Sequence, residues 1–277
     1  MTTIHRKSRR ATEATTIICL HASGGSGAQW RALADRMHSD FRVLTPDFYG
    51  HGATPTWNGA PATIVAADAA RIARLAAGAA GPVHLVGHSY GGAVALRVAL
   101  YHPDLVASVA VYEPVAMRVL FDYNPKHRAA AEVAEVAGAI GRELNGGNME
   151  RAAHRFYDYW SGAGSWAALA QERRVALARR MAVIHAHFAS LTRDVVELRD
   201  YRRLDVPVLY LTGRGTRAST RRIGELLRYA LPRVGSLAFD AMGHLGPVTH
   251  AGTVAHAIAS FIGDRTLPRA VDERKAA

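Results

Sequence analysis

The segment 87–92, which reads Gly-His-Ser-Tyr-Gly-Gly, constrains the fold of this chain more than any other feature. It follows an apolar run at 83–86 and precedes another at 93–96, so we expect a strand, a sharp turn and a helix in that order. Glycines two positions before and two positions after Ser89 allow a turn so tight that the serine hydroxyl projects from it. Ser89 is therefore a candidate nucleophile, although the same pattern also occurs in ordinary turns.

Strand-like and helical segments alternate along most of the chain. This alternation predicts an α/β fold in which a mostly parallel sheet is covered by helices on both faces. We expect strands over residues 15–20, 41–45, 82–86, 106–112, 206–212 and 234–239, and helices over residues 29–38, 63–78, 91–102, 220–231 and 250–262. Ligands bind such sheets at the carboxyl ends of the strands, so we expect the functional site there.

The interval between residues 114 and 201 contains no predicted strand. Its helical patterns cover 128–144, 149–160 and 165–191, and glycine-rich segments separate them. We interpret residues 114–201 as a helical lid inserted into a core formed by residues 1–113 and 202–277. Its aromatic side chains either line a substrate pocket or pack the lid onto the core. They are Phe156, Tyr157, Tyr159, Trp160, Trp166 and Phe188.

Composition narrows the classes of protein that fit. A single cysteine, Cys19, excludes an intrachain disulfide and a cysteine metal site, and it favours a cytoplasmic location. Residues 1–14 are polar and basic, and the six apolar-leaning residues after them are too few for a signal-peptide core or a membrane span. We expect at most a short edge strand in residues 1–14 and a frayed tail over residues 263–277.

The net charge of +11 suits a nucleic-acid or anionic-membrane partner. However, lysine occurs only at positions 7, 126 and 275, and many of the arginines alternate with acidic residues, as on solvated helix faces. We therefore expect neither a nucleic-acid partner nor a membrane partner. The alternative hypothesis, in which the basic surface binds nucleic acid, predicts salt-sensitive binding to duplex DNA.

Two further segments complete a catalytic set. The loop His-Ala-Ser-Gly-Gly at 21–25 follows the first strand, and its small residues allow backbone N–H groups to face a cavity. A tetrahedral intermediate requires two such donors, and the N–H groups of Ser23 and Tyr90 are our candidates. His244 follows the last strand, and imidazole is a base suited to removing a hydroxyl proton near neutral pH.

Taken together, these motifs closely resemble those of the α/β-hydrolase fold family. The resemblance covers most of residues 15–262 and keeps the family order. Its motifs are the loop at 21–25, Trp30, Pro-Asp-Phe-Tyr-Gly-His-Gly at 46–52, the turn at Ser89 and the pair Gly243-His244. The resemblance implies a structural role for Asp47. It also implies a triad acid after the penultimate strand, where residues 213–219 contain no carboxylate.

Another carboxylate must then orient the histidine, because the imidazolium formed during attack needs a fixed anion. Glu113 ends the strand that follows the nucleophile helix, and some family members place their acid there. The alternative reading of Glu113 is a solvated residue at the lid junction. Asp240 is the second candidate because it lies close to His244 in sequence, whereas Asp205 lies at the opposite end of its strand.

The resulting hypothesis is a serine hydrolase with Ser89 as nucleophile, His244 as base and Glu113 as acid. By analogy with the fold, we expect small carboxylic esters or thioesters with an apolar acyl part as substrates, and neither a cofactor nor a metal. Carbon–carbon bond hydrolysis, cofactor-free perhydrolysis and cyanohydrin cleavage use the same machinery and remain alternatives. A ligand-binding member of the fold with a slow or idle triad is a further alternative.

Overall fold

In the computed structural model, which describes residues 15–264, six parallel strands form one sheet. The strands are β1 (Thr16–Leu20), β2 (Arg42–Leu44), β3 (Val83–His88), β4 (Val106–Tyr112), β5 (Val208–Gly213) and β6 (Val234–Phe239). Their order across the sheet is β2-β1-β3-β4-β5-β6. The predicted parallel α/β architecture is confirmed, and the strand expected over 41–45 is shorter than predicted. Expectations about residues 1–14 and about the tail beyond residue 264 lie outside the described residues.

Eleven α-helices occur within residues 15–264. They are α1 (Arg31–Met37), α2 (Ile64–Ala77), α3 (Tyr90–Tyr101), α4 (Arg118–Tyr123), α5 (Arg128–Asn145), α6 (Met149–Ser161), α7 (Gln171–Arg179), α8 (Met181–Thr192), α9 (Ala218–Ala230), α10 (Gly246–Thr249) and α11 (Ala251–Asp264). Helices α1 and α11 pack on one face of the sheet, and α2, α3 and α9 pack on the other. Within this part of the chain, no helix is both long enough and apolar enough for a membrane-spanning segment.

The register of the strands brings three loops to one edge of the sheet. Leu20 at the end of β1 pairs with Gly87 in β3, and His88 at the end of β3 pairs with Tyr112 at the end of β4. Central strands of this kind are buried on both faces, and their residues are almost continuously apolar. The loop after β1, the turn after β3 and the residue after β4 therefore lie side by side.

Helices α4 to α8 occupy the interval between β4 and β5 that contains no predicted strand. The single helix expected over 165–191 is instead a short 3₁₀ turn, Ser165–Ala168, followed by α7 and α8. Helix α7 is largely exposed, whereas half of the residues of α8 are buried, and Arg180 interrupts the hydrogen-bonded helix between them. The guanidinium of Arg180 donates a hydrogen bond to the carbonyl oxygen of Gly24, at 3.0 Å, so the break lies against the loop after β1.

Candidate active site

Ser89, His244 and Glu113 form a continuous hydrogen-bonded chain at the carboxyl edge of the sheet. His244 Nε2 lies 2.9 Å from Ser89 Oγ, and His244 Nδ1 lies 2.8 Å from Glu113 Oε2. All three residues are buried, with His244 4% exposed and Glu113 0% exposed. The structure thus brings together the three residues that the sequence predicts as nucleophile, base and acid.

The turn at Ser89 depends on its neighbouring glycines. Ser89 has φ 54° and ψ −115°, a conformation that L-residues rarely adopt. A Cβ atom on Gly87 would lie 2.4 Å from the carbonyl oxygen of Gly91, and one on Gly91 would lie 2.4 Å from that of Leu20. Only glycine allows β3, the turn and α3 to pack this closely, so the motif positions the Ser89 hydroxyl beside His244.

Glu113 receives hydrogen bonds on both carboxylate oxygens. The hydroxyl of Thr212 and the N–H of Gly213 donate to Oε1, at 2.9 and 2.8 Å. The hydroxyl of Thr216 donates to Oε2 at 2.8 Å, on the same oxygen that faces His244. Burial by itself raises the pKa of Glu113, but the contacts with His244, Gly213 and Thr216 outweigh it and lower the pKa below its usual value. Glu113 is therefore an ionised carboxylate despite its burial.

Asp240, the second candidate for the acid, lies elsewhere. Its side chain is 88% exposed and pairs with the guanidinium of Arg214, whose Nε is 2.5 Å from Asp240 Oδ1. Asp47 accepts a hydrogen bond from the N–H of Gly27 at 2.8 Å, and it fills the space where a Cβ on Gly52 would lie. Of the carboxylates that the sequence singles out, Glu113 is the one in contact with His244.

The loop that carries His244 is held by two side chains. His88 Nε2 donates to the carbonyl oxygen of His244 at 2.8 Å, and Gln29 Nε2 donates to His88 Nδ1 at 3.1 Å. Burial lowers the pKa of His88 well below its usual value, so His88 is neutral and one nitrogen donates while the other accepts. The hydroxyl of Tyr112 donates to the carbonyl oxygen of Gly243 at 2.8 Å. No motif in the sequence predicts this role of Gln29 or of His88.

The loop after β1 places Ser23 beside the nucleophile turn. The N–H of Gly24 donates to His51 Nε2 at 3.0 Å, and the N–H of Ala22 donates to Gln29 Oε1 at 3.2 Å. Among residues 15–264, the N–H groups of Ser23 and Tyr90 make no hydrogen bond. Ser23 lines the same cavity as Ser89, and Tyr90 directly follows Ser89, so these two N–H groups are the candidates for binding an oxyanion.

His187, on α8, is a residue that the sequence analysis missed. Its Nδ1 lies 2.7 Å from Ser23 Oγ, and its ring stacks on the ring of Tyr90 with centroids 3.7 Å apart. Burial, with the nearby His51 and His21, lowers the pKa of His187 well below its usual value, so its ring is neutral. His187 therefore links the helices inserted between β4 and β5 to both segments that carry the free N–H groups.

A cavity of about 760 Å³ opens onto Ser89 and His244. Three of the six aromatic residues named above line it, namely Phe156, Tyr157 and Trp160. The other three, Tyr159, Trp166 and Phe188, are buried among the inserted helices and the core. Charged side chains also line the cavity, and they are Arg31, Asp35, Arg173 and Arg180. Within residues 15–264, no group of three or more His, Cys, Asp or Glu side chains has an arrangement that could hold a metal ion.

This parallel sheet, with a serine at the sharp turn after β3 and a histidine after the last strand, defines a known class of protein. The chain matches the family described as alpha/beta hydrolase fold over residues 15–251, and it belongs to that family. The family and fold that the sequence motifs predict are thereby confirmed.

The relatives of this chain are named as different kinds of ester-cleaving enzyme. The chain is 28% identical over 258 residues to a pimeloyl-[acyl-carrier protein] methyl ester esterase of Vibrio atlanticus, covering 88% of this chain and 93% of that protein. It is 39% identical over 98 residues to Lipase LipV of Mycobacterium tuberculosis, covering 35% of this chain and 36% of the lipase. The alignment therefore spans about a third of the lipase.

Solved structures share the fold at lower identity. The enol-lactonase from Burkholderia xenovorans LB400 superposes with a TM-score of 0.68 at 22% identity, covering 92% of this chain and 94% of that one. An alpha/beta hydrolase named MGS-M2, from a deep-sea metagenome library, superposes with a TM-score of 0.74 at 15% identity, covering 90% of each chain. At this level of identity the likeness concerns the fold alone.

Proposed function

We propose that this protein is a serine hydrolase that cleaves a carboxylic ester or thioester through an acyl-enzyme. The observation that carries the proposal is the buried chain of hydrogen bonds from Ser89 through His244 to Glu113. A hydroxyl is a weak nucleophile unless an adjacent base removes its proton, and that base needs a third group to orient it. Here Ser89 and Glu113 each lie within hydrogen-bonding distance of His244, in the required order.

In the proposed first step, Ser89 Oγ attacks the substrate carbonyl carbon while its proton moves to His244 Nε2. The ionised Glu113 accepts the N–H at Nδ1, which selects the tautomer with a free Nε2 and stabilises the imidazolium that forms. The carbonyl oxygen gains negative charge and receives hydrogen bonds from the N–H groups of Ser23 and Tyr90. Losing one such donor typically costs about 10²–10³-fold in rate.

The tetrahedral intermediate then collapses. The bond from carbon to the leaving oxygen or sulfur breaks, and the imidazolium of His244 gives its proton to the leaving group. A water molecule next attacks the acyl-enzyme, with His244 again accepting a proton and returning it to Ser89 Oγ. The products are a carboxylic acid and an alcohol or a thiol.

The cavity supports a substrate with an apolar acyl part. Its volume of about 760 Å³ accommodates a small to medium molecule, and Phe156, Tyr157 and Trp160 supply apolar surface near Ser89. A relative and a structural neighbour, a methyl ester esterase and an enol-lactonase, are named for the cleavage of ester-type bonds. Residues 114–201 serve in this proposal as a lid that roofs the cavity.

Labelling with a fluorophosphonate probe, followed by turnover of p-nitrophenyl esters of graded acyl length, tests the proposal. We expect stoichiometric labelling of Ser89 and multiple turnovers in the wild type. Turnover should fall by about 10⁴-fold or more in Ser89→Ala and by about 10³–10⁴-fold in Glu113→Gln. Asp240→Asn is the matched acid-to-amide control, because Asp240 is exposed and away from His244, and it should retain wild-type turnover.

Three outcomes would contradict part or all of the proposal. Full turnover in Glu113→Gln together with collapse in Asp240→Asn would assign the acid to Asp240. Labelling of Ser89 without multiple turnover on any ester or thioester would instead favour a ligand-binding member of the fold. Cleavage of a carbon–carbon bond or perhydrolysis in preference to ester hydrolysis would keep the triad and change the reaction.

A further inference from the structure

The indole ring of Trp160 lies on the imidazole ring of His244. The ring centroids are 4.0 Å apart and the planes are inclined by 26°, so the two rings are stacked. The nitrogens of His244 are engaged in the plane of its ring by Ser89 and Glu113. Trp160 therefore contacts His244 through a face of the ring rather than through a nitrogen.

Contacts with the core hold Trp160 in this position. Trp160 lies in the last turn of α6, directly after Tyr159, whose hydroxyl is 2.8 Å from Ser219 Oγ at the start of α9. The guanidinium of Arg217 lies 4.3 Å from the centre of the Tyr159 ring and also donates to the carbonyl oxygen of Tyr159. The rings of Tyr159 and Trp160 meet edge to face at 4.6 Å. The end of α6 is thus fastened to the core one residue before the side chain that covers His244.

The stacking matters for catalysis because His244 becomes positively charged during the proposed reaction. In the proposed mechanism the imidazole is neutral before attack and positively charged in the transition state. The face of an aromatic ring carries negative potential and attracts a cation, most strongly for tryptophan. An interaction that exists only in the charged state lowers the barrier rather than strengthening ground-state binding. For a partly desolvated pair, its size corresponds to about a 2- to 30-fold change in rate.

We propose that Trp160 is a positioning residue that stabilises the imidazolium of His244 and links the rate of catalysis to the placement of α6. The inference rests on the proposed hydrolase function and adds to it a role for one residue of the inserted helices. Because the aromatic face interacts with the charged ring, a variant that lacks this face should stabilise the imidazolium less.

Other titratable groups also act on His244. Glu113, at the end of β4, favours the imidazolium, and the neutral His88, at the end of β3, has its ring centroid 5.2 Å away. The hydroxyl of Tyr112 reaches the neighbouring Gly243, and burial raises its pKa, so it is uncharged. From the cavity side, the charged groups are those of Arg31, Asp35, Arg173 and Arg180. Substituting Trp160 leaves all of these groups in place.

The test compares Trp160→Tyr, Trp160→Phe and Trp160→Leu by the pH dependence of kcat/KM on two esters of different acyl length. We expect kcat to fall in the order Trp, Tyr, Phe, Leu, to about 30-fold below the wild type in the leucine variant. The acidic limb should move to lower pH in the same order. The fold-loss in kcat should be the same for both esters. If Trp160 only contacted the substrate, its replacement would instead raise KM, and the effect would depend on acyl length. Trp57→Leu makes the same change in a tryptophan outside the cavity lining and should keep the wild-type profile.

An acidic limb that stays in place or moves to higher pH in Trp160→Leu would overturn the inference, because removal of the indole face would then not have destabilised the imidazolium. NMR titration of the His244 imidazole in the wild type and in Trp160→Leu measures the same shift without turnover. A wild type that hydrolyses no ester would contradict the proposed function. The NMR comparison would still decide whether Trp160 stabilises the imidazolium of His244.

Discussion

At the scale of single residues, two of the three proposed catalytic residues have strained backbone conformations. Ser89, at φ 54°, and Glu113, at φ 44°, are the non-glycine residues of the range 15–264 with positive φ. Such a conformation costs on the order of 1–3 kcal/mol and persists only where the surroundings enforce it. The N–H of Ser89 donates to the carbonyl oxygen of Tyr112, at 3.0 Å, and the N–H of Glu113 donates to that of Leu211, also at 3.0 Å. Each strained residue is thus tied to the neighbouring strand, which fixes where its side chain projects.

The hydroxyl of Thr216 offers a test of how Glu113 is kept ionised. Replacing Thr216 with valine preserves the shape of the side chain and removes one donor from the carboxylate oxygen that faces His244. The carboxylate then becomes more basic, and protonation of the His244–Glu113 pair becomes easier. We expect kcat to fall by about tenfold, on the order of one hydrogen bond to a charged group, because the carboxylate that orients His244 loses one of the contacts that hold it in place. The acidic limb of kcat/KM should move to higher pH.

The matched control for this substitution is Thr192→Val. The Thr192 hydroxyl bonds only to carbonyl oxygens of its own helix, Phe188 at 2.8 Å and Ala189 at 3.3 Å. Its removal should leave the pH profile unchanged. A Thr216→Val variant with the wild-type acidic limb would show that Thr212 and Gly213 suffice to hold the charge of Glu113.

At the scale of elements, the packing of α3 against β1 depends on one glycine. A Cβ on Gly91 would lie 2.4 Å from the carbonyl oxygen of Leu20 and 2.6 Å from that of His21, and backbone atoms have little freedom to move. We expect Gly91→Ala to displace α3, lower the free energy of unfolding by about 1–3 kcal/mol or more, and reduce fluorophosphonate labelling of Ser89. Urea unfolding and labelling rates measure the two effects.

Gly252 provides the control at this scale. It lies in α11, and a Cβ there would meet nothing within 4 Å, so Gly252→Ala should stabilise the protein by about 0.5–1 kcal/mol. If Gly91→Ala proved as stable and as reactive as Gly252→Ala, the close approach of α3 to β1 would not be required for the nucleophile turn.

The elements that the sequence predicts well are those whose pattern is local. The parallel strands have continuous apolar runs, and the turn at Ser89 has obligatory glycines, so both are visible in the chain itself. The contacts of His187 and Trp160 depend instead on how α6 and α8 pack against the sheet. The break between α7 and α8 likewise occurs where exposed residues of α7 give way to the more buried residues of α8, and no proline or glycine marks it. Such tertiary packing has no local signature, and the expectation of one helix over 165–191 was wrong for that reason.

At the scale of the whole molecule, buried histidines make stability depend on pH. Burial lowers the pKa of His51, His88 and His187, and it lowers that of His21 to about 4. Between the folded and unfolded pKa values, the unfolded chain binds more protons than the folded one, so stability is full above about pH 6.5 and falls as the pH drops. His21 alone should cost about 2 kcal/mol at pH 5 relative to pH 7.5. Asp68 acts in the opposite direction, because burial raises its pKa to about 6.

Urea unfolding at a series of pH values between 7.5 and 5 measures this dependence. We expect the free energy of unfolding to decrease steadily over the interval, since four histidines oppose one aspartate. His187→Gln removes one of the four buried rings and should flatten the decrease, whereas His38→Gln makes the same change at an exposed position and should leave the slope as it is. Stability that is constant or rises toward pH 5 would mean that the buried histidines take up protons in the folded state. The contacts of His187 with Ser23 and Tyr90 would then be disrupted as the protein is acidified. The loss of hydrolytic activity at low pH would in that case come from these contacts as well as from His244.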